Sequence, residues 1–474
     1  MQILVVIVGA GVLKIIFHHL PDMISELQPT DRIFINCVET PKLLLRYFLR
    51  AVVSLPESCV LILAGVIVAA VFQLGFSART IEFTPELFFE ILLPPIIMDS
   101  AFAIYNRTFG HHFVVIIMFA VIGTLCNTFA IGGGLLAVQA VGGITLKSEN
   151  GTTVTLGPVN CFTFSALISA VDPVAVLAIF QEIGVNAGLY FMVFGESLLN
   201  DGVTIVLYNT MVALADVPSN AQNIILAFFS FFTVVFGGFF VGVVFGFIST
   251  YIVKFTRHCR ELEPFTILSM IYLGFIVAET IHWSGIISIL GCGIVQKRYA
   301  FRNISKKSFW TIKYGIRTAA TFADCVIFIF LGIVTVWDPT IWESWNTAFA
   351  IWTCIFCTIF RFGATFLLSL LVNKFGGQHF DEISFKEQFI IGYGGLRGAV
   401  GFSLALILKG ENEFDNLFIA TAIFMVFFTT FLQGGTIKWV VSFLGIERAK
   451  KQVYNFNIFQ FKTKLTHEYI FTNY

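Results

Sequence analysis

The sequence predicts a polytopic α-helical membrane protein in which two broken helices cross at mid-membrane. Hydrophobic residues make up 57% of the chain and charged residues only 12%, whereas soluble domains carry about 25% charged residues. Apolar stretches of about 20 residues, the length that crosses a bilayer core, recur along the chain. Two of these stretches contain both ionisable residues and helix breakers, which is the pattern of an ion-binding transporter core.

We count thirteen spans. They cover residues 2–20, 57–74, 86–104, 112–133, 160–180, 189–214, 223–253, 264–282, 284–296, 322–336, 347–372, 388–409 and 416–444. With the C-terminus inside, the inner loops and tail hold 22 Lys and Arg residues and the outer loops hold 3. Positive residues mark the cytoplasmic side, so this count predicts an extracellular N-terminus and a cytoplasmic C-terminus.

Three segments outside the spans carry predictions of their own. Residues 1–447 form the predicted transmembrane domain, with an atypical cytoplasmic loop at 21–56, and residues 448–474 form a short cytoplasmic tail. The basic segment 297–318, read as a loop, is the strongest inside marker. Asn150, in an Asn-Gly-Thr sequon of an outer loop, is a candidate N-glycosylation site.

The first ionisable stretch runs from residue 161 to 215 and holds four polar residues at span centres: Asp172, Glu196, Asn200 and Asp201. A carboxylate at the centre of a membrane helix is costly, so such residues are usually functional. Pro173 follows Asp172 directly and breaks the helix, because it has no N–H and its ring clashes with a preceding carbonyl. A broken helix beside a carboxylate predicts a cation site.

Helical spacing separates the two carboxylates of the next span. Glu196 and Asn200 are four residues apart and share a face, as do Ser197 and Asp201. The two carboxylates therefore lie on different faces, which predicts that one meets the transport cavity and the other a fixed partner.

A second break is expected in span 388–409, because five of its residues are glycines that weaken a helix: Gly392, Gly394, Gly395, Gly398 and Gly401. Arg397 sits among them. This span and the Asp172 span are seven crossings apart, so they run in opposite directions. Spans 1–6 and 8–13 then form two inverted repeats.

Several charged residues remain open from spacing alone. Arg361 lies deep in an apolar span and needs a carboxylate partner, which could be Glu196, Asp324 or Glu279. The roles of Glu90, Asp99 and Glu279 are undetermined. Between Glu90 and Asp99, the Pro94-Pro95 pair predicts a kink or an end of the helix.

Eight runs together resemble the eukaryotic plasma-membrane-type sodium/proton exchangers, the electroneutral branch of the monovalent cation:proton antiporter superfamily. They are LPESCVLILAG (55–65), LLPPII (92–97), FAVIGTLCN (119–127), ISAVDPVAVLAIF (168–180), VFGESLLNDGVTIVLY (193–208), EPFTIL (263–268), FIFLGIVTV (328–336) and QFIIGYGGLRGAVGFSLA (388–405). The resemblance implies thirteen helices in two six-helix inverted repeats, a homodimer, and a core that moves against a scaffold.

The resemblance also implies residue roles. The cation- and proton-binding residues are Asp201, Asn200, Asp172 and Ser197, with Na⁺ at Asp201. Glu196 and Arg361 form a structural ion pair, and the crossing motif comprises Pro173, Gly394, Gly395 and Arg397. The family's inhibitors act near Phe88, Leu92, Pro94, Pro95 and Asp324. Asp324 departs from the family's usual Glu, and the long regulatory tail of the family is unmatched, so its cytoplasmic regulators are not implied.

The function predicted is electroneutral exchange of extracellular Na⁺ for intracellular H⁺ at the plasma membrane, which would regulate intracellular pH and cell volume. Burial disfavours an ionised carboxyl group, so Na⁺ and H⁺ compete for Asp201 and the bare carrier does not cycle. No cofactor, nucleic-acid partner or enzymatic activity is expected. The alternatives are an exchanger that accepts K⁺ or Li⁺, a cation channel, and a membrane-embedded enzyme that uses Asp172 and Asp201.

Overall fold

The computed structural model describes residues 56–75, 87–104, 107–147, 153–215, 217–218, 220–256, 261–375, 382–408 and 414–445. Four predictions fall outside these ranges: the first span at 2–20, nearly all of the loop at 21–56, the sequon at Asn150, and the tail at 448–474.

The described residues form helices and one short two-stranded ribbon. The helices are α1 (Glu57–Gly75), α2 (Leu93–Ile104), α3 (Arg107–Ile117), α4 (Thr124–Ala140), α5 (Pro158–Ile168), α6 (Val174–Ile183), α7 (Ala187–Ala215), α8 (Ala221–Phe255), α9 (Leu262–Thr280), α10 (Gly285–Arg298), α11 (Lys306–Trp337), α12 (Thr340–Glu343), α13 (Thr347–Phe375), α14 (Phe385–Tyr393), α15 (Ala399–Ile407), α16 (Asp415–Phe428) and α17 (Gly435–Leu444). Three π-helical turns, Leu87–Leu92, Met118–Gly123 and Thr429–Gly434, precede α2, α4 and α17 without a gap. The ribbon pairs β1 (Leu146–Lys147) with β2 (Thr153–Val154) in antiparallel register, which the sequence did not predict.

Eight helical segments of the described chain are long and apolar enough to cross a membrane. They are Leu87–Ile104, Phe109–Ala140, Ala187–Ala215, Ala221–Phe255, Leu262–Thr280, Lys306–Trp337, Thr347–Phe375 and Asp415–Leu444. Shorter apolar helices include α1, α5 and α6. The observed ends of α7, α8 and α9 lie within a few residues of the predicted spans 189–214, 223–253 and 264–282. The count of thirteen stays a prediction, because the first span lies outside the described residues.

The double proline changes the winding of its helix and does not end it. Pro94 lacks an N–H and its ring would crowd the carbonyl of Glu90, four residues earlier. The π-turn Leu87–Leu92 lies immediately before α2 and widens the helix at that point. Tyr272 on α9 donates its hydroxyl to the freed Glu90 carbonyl, 3.1 Å away. A helix end at Pro94-Pro95, one of the two outcomes predicted, is therefore wrong.

The basic segment 297–318 is mostly helical, contrary to its prediction as a loop. α10 continues to Arg298, a 3₁₀ turn covers Ala300–Arg302, and α11 begins at Lys306. Ser305 caps α11 by accepting the N–H of Ser308 at 3.2 Å. Hydropathy predicts this span only from residue 322, because a polar, well-capped first turn has no hydropathy signal.

The helices pack in two groups. One group comprises α3 to α7 and α13 to α17, and we call it the core bundle; the other comprises α1, α2 and α8 to α11, and we call it the flanking bundle. Within the flanking bundle the closest packing joins α8 to α10 and α1 to α11. Within the core bundle α5 packs on α4 and α7, and α13 packs on α4 and α14.

Both expected breaks are present, and they meet inside the core bundle. The first break separates α5 from α6 at residues 169–173, and the second separates α14 from α15 at residues 394–398. The N–H of Asp172 donates to the carbonyl of Leu396 at 2.7 Å, which joins the two breaks directly. The non-helical backbone at the crossing is thereby buried in protein, as backbone at membrane depth must be.

Candidate functional site

Asp172 occupies the first break and caps the helix that follows it. Its Oδ1 accepts the N–H of Val174 at 2.9 Å, which satisfies one of the free donors at the start of α6. Pro173, between them, has no N–H to satisfy. The Asp172 side chain is half-buried. It can therefore cap α6 with one oxygen and still be reached by an ion.

Asn200 holds the same break with its side-chain amide. Its Oδ1 accepts the backbone N–H of Val171 at 3.2 Å and the hydroxyl of Thr204 at 3.4 Å. Its Nδ2 donates to Thr124 Oγ1 at 2.5 Å and to the Ser169 carbonyl at 3.4 Å. The side chain is fully buried. The amide oxygen therefore accepts two hydrogen bonds and the amide nitrogen donates two, all of them with protein groups.

Asp201, the next residue of α7, is in a different environment. Its side chain is half-buried, and it is close enough to Asp172 for the two carboxylates to repel each other. Ser197, one turn earlier on the same face, is buried. The structure therefore places the Asp201 carboxylate near Asp172 of the first break, and both side chains are half-buried.

Glu196 and Arg361 form a buried ion pair. Arg361 Nη1 donates to Glu196 Oε1 at 2.5 Å, and the two residues are only 5% and 2% exposed. Arg361 Nη2 also donates to the Ile391 carbonyl at 3.4 Å, just before the second break. A Cβ on Gly395 would lie 2.7 Å from Arg361 Nε, so only glycine leaves room for the guanidinium there.

The other carboxylates that could have paired with Arg361 lie in the flanking bundle. Glu279 Oε1 accepts the N–H of Gly285 at 2.8 Å and so caps α10. Asp324 is half-buried on α11, one turn before Phe328. Asp99, which was not among those candidates and whose role the sequence leaves open, lies on α2 and interacts electrostatically with Arg317 and Lys313 of α11.

Arg397 occupies the second break and is 3% exposed. Its backbone N–H donates to Thr429 Oγ1 at 3.0 Å, and its Nη1 donates to the Ala170 carbonyl of the first break at 3.3 Å. The Cys357 thiol forms a side-chain hydrogen bond with its guanidinium, and the charges of Arg361 and Glu196 act on it. A Cβ at Gly398 would overlap Asp172, so this glycine is what lets the two breaks touch.

A narrow crevice between the two bundles reaches the crossing. Its lining residues are Ser58, Asp172, Ala175, Phe328, Leu396, Arg397 and Thr430. Ser58 and Phe328 belong to the flanking bundle and the others to the core bundle. Among these lining residues Asp172 is the one carboxylate.

The predicted inhibitor region lies at the start of α2 in the flanking bundle, which packs on α10 and α11. Phe88, Leu92 and Pro94 are buried, and Pro95 is half-buried. Phe88 stacks edge-on against Phe89, with ring centroids 4.8 Å apart.

Gly394, the last predicted motif residue, ends α14 with its N–H on the Ile390 carbonyl at 2.7 Å. The sequence reasoning missed three residues at the crossing: Thr124, Thr429 and Cys357. Each lies in an apolar span and has no charged residue beside it in the sequence. The one available signal is that Thr124 and Thr128 are four residues apart, which places their hydroxyl groups on the same face of a helix.

Residues 42–443 match the family model for the transmembrane region of sodium/hydrogen exchangers. The chain belongs to the sodium/hydrogen exchanger family. Among its relatives, Na(+)/H(+) exchanger protein 7 of Caenorhabditis elegans is 40% identical over 403 residues, which are 84% of this chain and 50% of that protein. Sodium/hydrogen exchanger 3 of Homo sapiens is 38% identical over 399 residues, 83% of this chain and 46% of that protein. This exchanger-family chain thus spans about half the length of the curated relatives it matches.

A solved structure supports the fold of this family member independently. The sodium proton antiporter MjNhaP1 of Methanocaldococcus jannaschii superposes with a TM-score of 0.59 at 18% identity, covering 94% of this chain and 100% of that one. At this identity the likeness concerns the fold alone. It confirms the predicted helical antiporter fold.

Proposed function

We propose that this chain is a secondary antiporter that exchanges one Na⁺ for one H⁺ without moving net charge. The observation that carries the proposal is the charge at the crossing. Three carboxylates, Asp172, Glu196 and Asp201, lie at or beside the crossing together with two guanidiniums, Arg361 and Arg397. Three negative and two positive charges leave a net charge of −1. Because uncompensated buried charge is costly, one proton or one monovalent cation is what makes the crossing neutral.

The arrangement of the five charges supports Asp201 as the group that binds the neutralising ion. Glu196 is held by Arg361 at 2.5 Å, and Asp172 shares its crevice with Arg397. Asp201 is the remaining acid and is half-buried. It binds Na⁺ or H⁺ in turn, with Asp172 beside it and Ser197 on its helical face. Asn200, whose amide holds the break, acts as part of the frame and not as an ion ligand.

The net charge of −1 at the crossing also explains why Na⁺ and H⁺ would be carried alternately. With Asp201 ionised and bare, the crossing would carry −1 through the dry centre of the protein, which is disfavoured. With a proton or a Na⁺ bound, the crossing is neutral and the core bundle can move against the flanking bundle. The two ions therefore use one carrier in turn, which is obligatory one-for-one exchange.

Vesicles that contain the purified chain test this proposal. An inward Na⁺ gradient should make the lumen alkaline, at a rate that does not change when the membrane potential is clamped at different values. Asp201→Asn should abolish this alkalinisation, because the amide binds neither ion as the carboxylate does. Glu182→Gln, which removes an exposed carboxylate on α6 paired with Lys438 at 2.6 Å, is the control and should exchange normally. Continued exchange by Asp201→Asn would refute the proposal.

Cation choice and cellular setting complete the proposal. Replacing Na⁺ by K⁺ or Li⁺ in the same vesicles measures whether these ions are also accepted, since carboxylate and carbonyl oxygens do not by themselves select Na⁺. The family and the charge distribution support an extracellular N-terminus, a cytoplasmic C-terminus, a plasma-membrane location and a homodimer. In that setting Na⁺ entry drives H⁺ out of the cell, which regulates intracellular pH and volume. Asn150 would then face outside, where it can be glycosylated.

A further inference from the structure

Thr124 is the first residue of α4 and directly follows the π-turn Met118–Gly123. Its backbone N–H bonds to the carbonyl of Val121, three residues back. In an α-helix that N–H would bond to Ala120, four residues back. Instead the Thr124 hydroxyl donates to the Ala120 carbonyl at 2.6 Å. The single hydroxyl proton of Thr124 is thus committed to the Ala120 carbonyl.

Because that proton is used, Thr124 Oγ1 can only accept a further hydrogen bond. The amide of Asn200, 2.5 Å away, must therefore present its NH₂ group to Thr124. The Asn200 oxygen then has to point to the other side, where it accepts the N–H of Val171 at 3.2 Å. Turned over, the amide would place its oxygen against the Thr124 oxygen and its NH₂ against the Val171 N–H, and both contacts would be repulsive.

The orientation of this amide shapes the backbone that leads into Asp172. Ser169 is held by the Asn200 NH₂ at its carbonyl, 3.4 Å away, and by Thr128 Oγ1 at its hydroxyl, 3.1 Å away. The Ser169 hydroxyl in turn donates to the Ser165 carbonyl at 2.7 Å. The hydroxyl groups of Thr124, Thr128 and Ser169 each donate to one acceptor. These hydrogen bonds together hold the backbone of residues 169–171 in place.

We propose that Thr124 is a positioning residue of the transport site, which sets the Asn200 amide and through it the place of Asp172 beside Asp201. This inference rests on the proposed exchange of Na⁺ for H⁺. Thr124 is fully buried and acts only through Asn200. Its loss should therefore weaken cation binding while leaving the carrier able to turn over.

The test compares Thr124→Val, Thr124→Ala and Thr124→Ser in vesicles driven by a Na⁺ gradient. Thr124→Val keeps the shape of the side chain and removes the hydroxyl. It should raise the KM for Na⁺ by about tenfold, the factor that corresponds to the loss of one buried hydrogen bond, with little change in Vmax. Thr124→Ala should do the same. Thr124→Ser, which can make both hydrogen bonds, should restore the KM to within about twofold of the unmodified chain.

Thr353→Val is the matched control. Thr353 is equally buried, and its hydroxyl donates to the Phe349 carbonyl of its own helix at 2.8 Å, so its KM for Na⁺ should stay normal. An unchanged KM in Thr124→Val, or a rise of the same size in Thr353→Val, would overturn the inference. Failure of both Thr124→Val and Thr124→Ala to fold would also overturn it, because Thr124 would then be a folding residue. Absence of exchange in the unmodified chain would instead refute the proposed function itself.

Discussion

The two breaks at the crossing lie against each other but are built with different chemistry. The first carries an acid, Asp172, and is held by side chains, chiefly the amide of Asn200 on the Val171 N–H and the Ser169 carbonyl. The second carries a base, Arg397, and is formed by glycines, with Thr429 accepting the Arg397 N–H at 3.0 Å. The two breaks thus carry opposite charges, and in the proposed function Asp201 is the acid that exchanges its ion.

The difference indicates how each break responds to substitution. The side-chain frame of the first break can lose one hydrogen bond and keep the others, so single changes there should shift ion affinity. The second break depends on close approach, because Gly395 lies against Arg361 and Gly398 lies against Asp172. Added atoms there have nowhere to go in a close-packed interior, so they should disrupt the crossing itself.

The largest effect is expected from breaking the ion pair that ties the second break to α7. Arg361→Gln leaves Glu196 buried and unpaired, which should destabilise the protein by about 3–5 kcal/mol. The apparent melting temperature in detergent and the exchange rate in vesicles should both fall sharply. The double variant Arg361→Gln/Glu196→Gln removes both charges and should recover much of the melting temperature. Equal loss in the single and double variants would contradict the pairing.

A smaller effect is expected from overfilling the contact between the breaks. In Gly398→Ala the new methyl group would overlap Asp172, and overpacking of this kind costs about 1–3 kcal/mol. Exchange should fall because Asp172 must move. Gly363→Ala on α13, where a Cβ meets no atom within 4 Å, is the control and should retain the normal melting temperature and exchange. Normal exchange by Gly398→Ala would show that the breaks do not need close contact.

The smallest effect is expected from Thr429, the side chain that accepts the Arg397 N–H at the second break. Thr429→Val removes the acceptor of the Arg397 N–H and should cost about 1 kcal/mol. Thr421 is buried on the same helix, and its hydroxyl donates to the Leu417 carbonyl at 2.7 Å. Thr421→Val therefore controls for loss of a hydroxyl alone. A larger loss of exchange in Thr429→Val than in Gly398→Ala would reverse the proposed order and show that side chains hold both breaks.

The positions of both breaks followed from the sequence, but their partners did not. Pro173 and the five glycines of span 388–409 mark the breaks locally, because they change the backbone where they stand. Spacing also placed Glu196 and Asp201 on different faces, and the structure gives them different environments. Spacing left the partner of Arg361 open among three carboxylates, and only the family resemblance favoured Glu196.

The remaining features depend on contacts between distant segments. Thr124 meets Asn200 across 76 residues of chain, and no local pattern encodes that distance. The π-turns depend on tertiary fit, as where Tyr272 satisfies the Glu90 carbonyl ahead of Pro94. Hydropathy does not predict the first turns of α11. It identifies residues that would lie in the bilayer core, whereas this helix begins in a polar segment.

Competition between the two ions is the central claim, and the initial rate of Na⁺ uptake tests it most directly. The rate is measured in vesicles over a range of Na⁺ concentrations at several pH values on the same side. If Na⁺ and H⁺ share Asp201, acidification should raise the KM for Na⁺ in proportion to the proton concentration, once protons occupy most of the carriers, and leave Vmax unchanged. A KM that stays constant while Vmax falls would show that the proton acts elsewhere and would contradict the account.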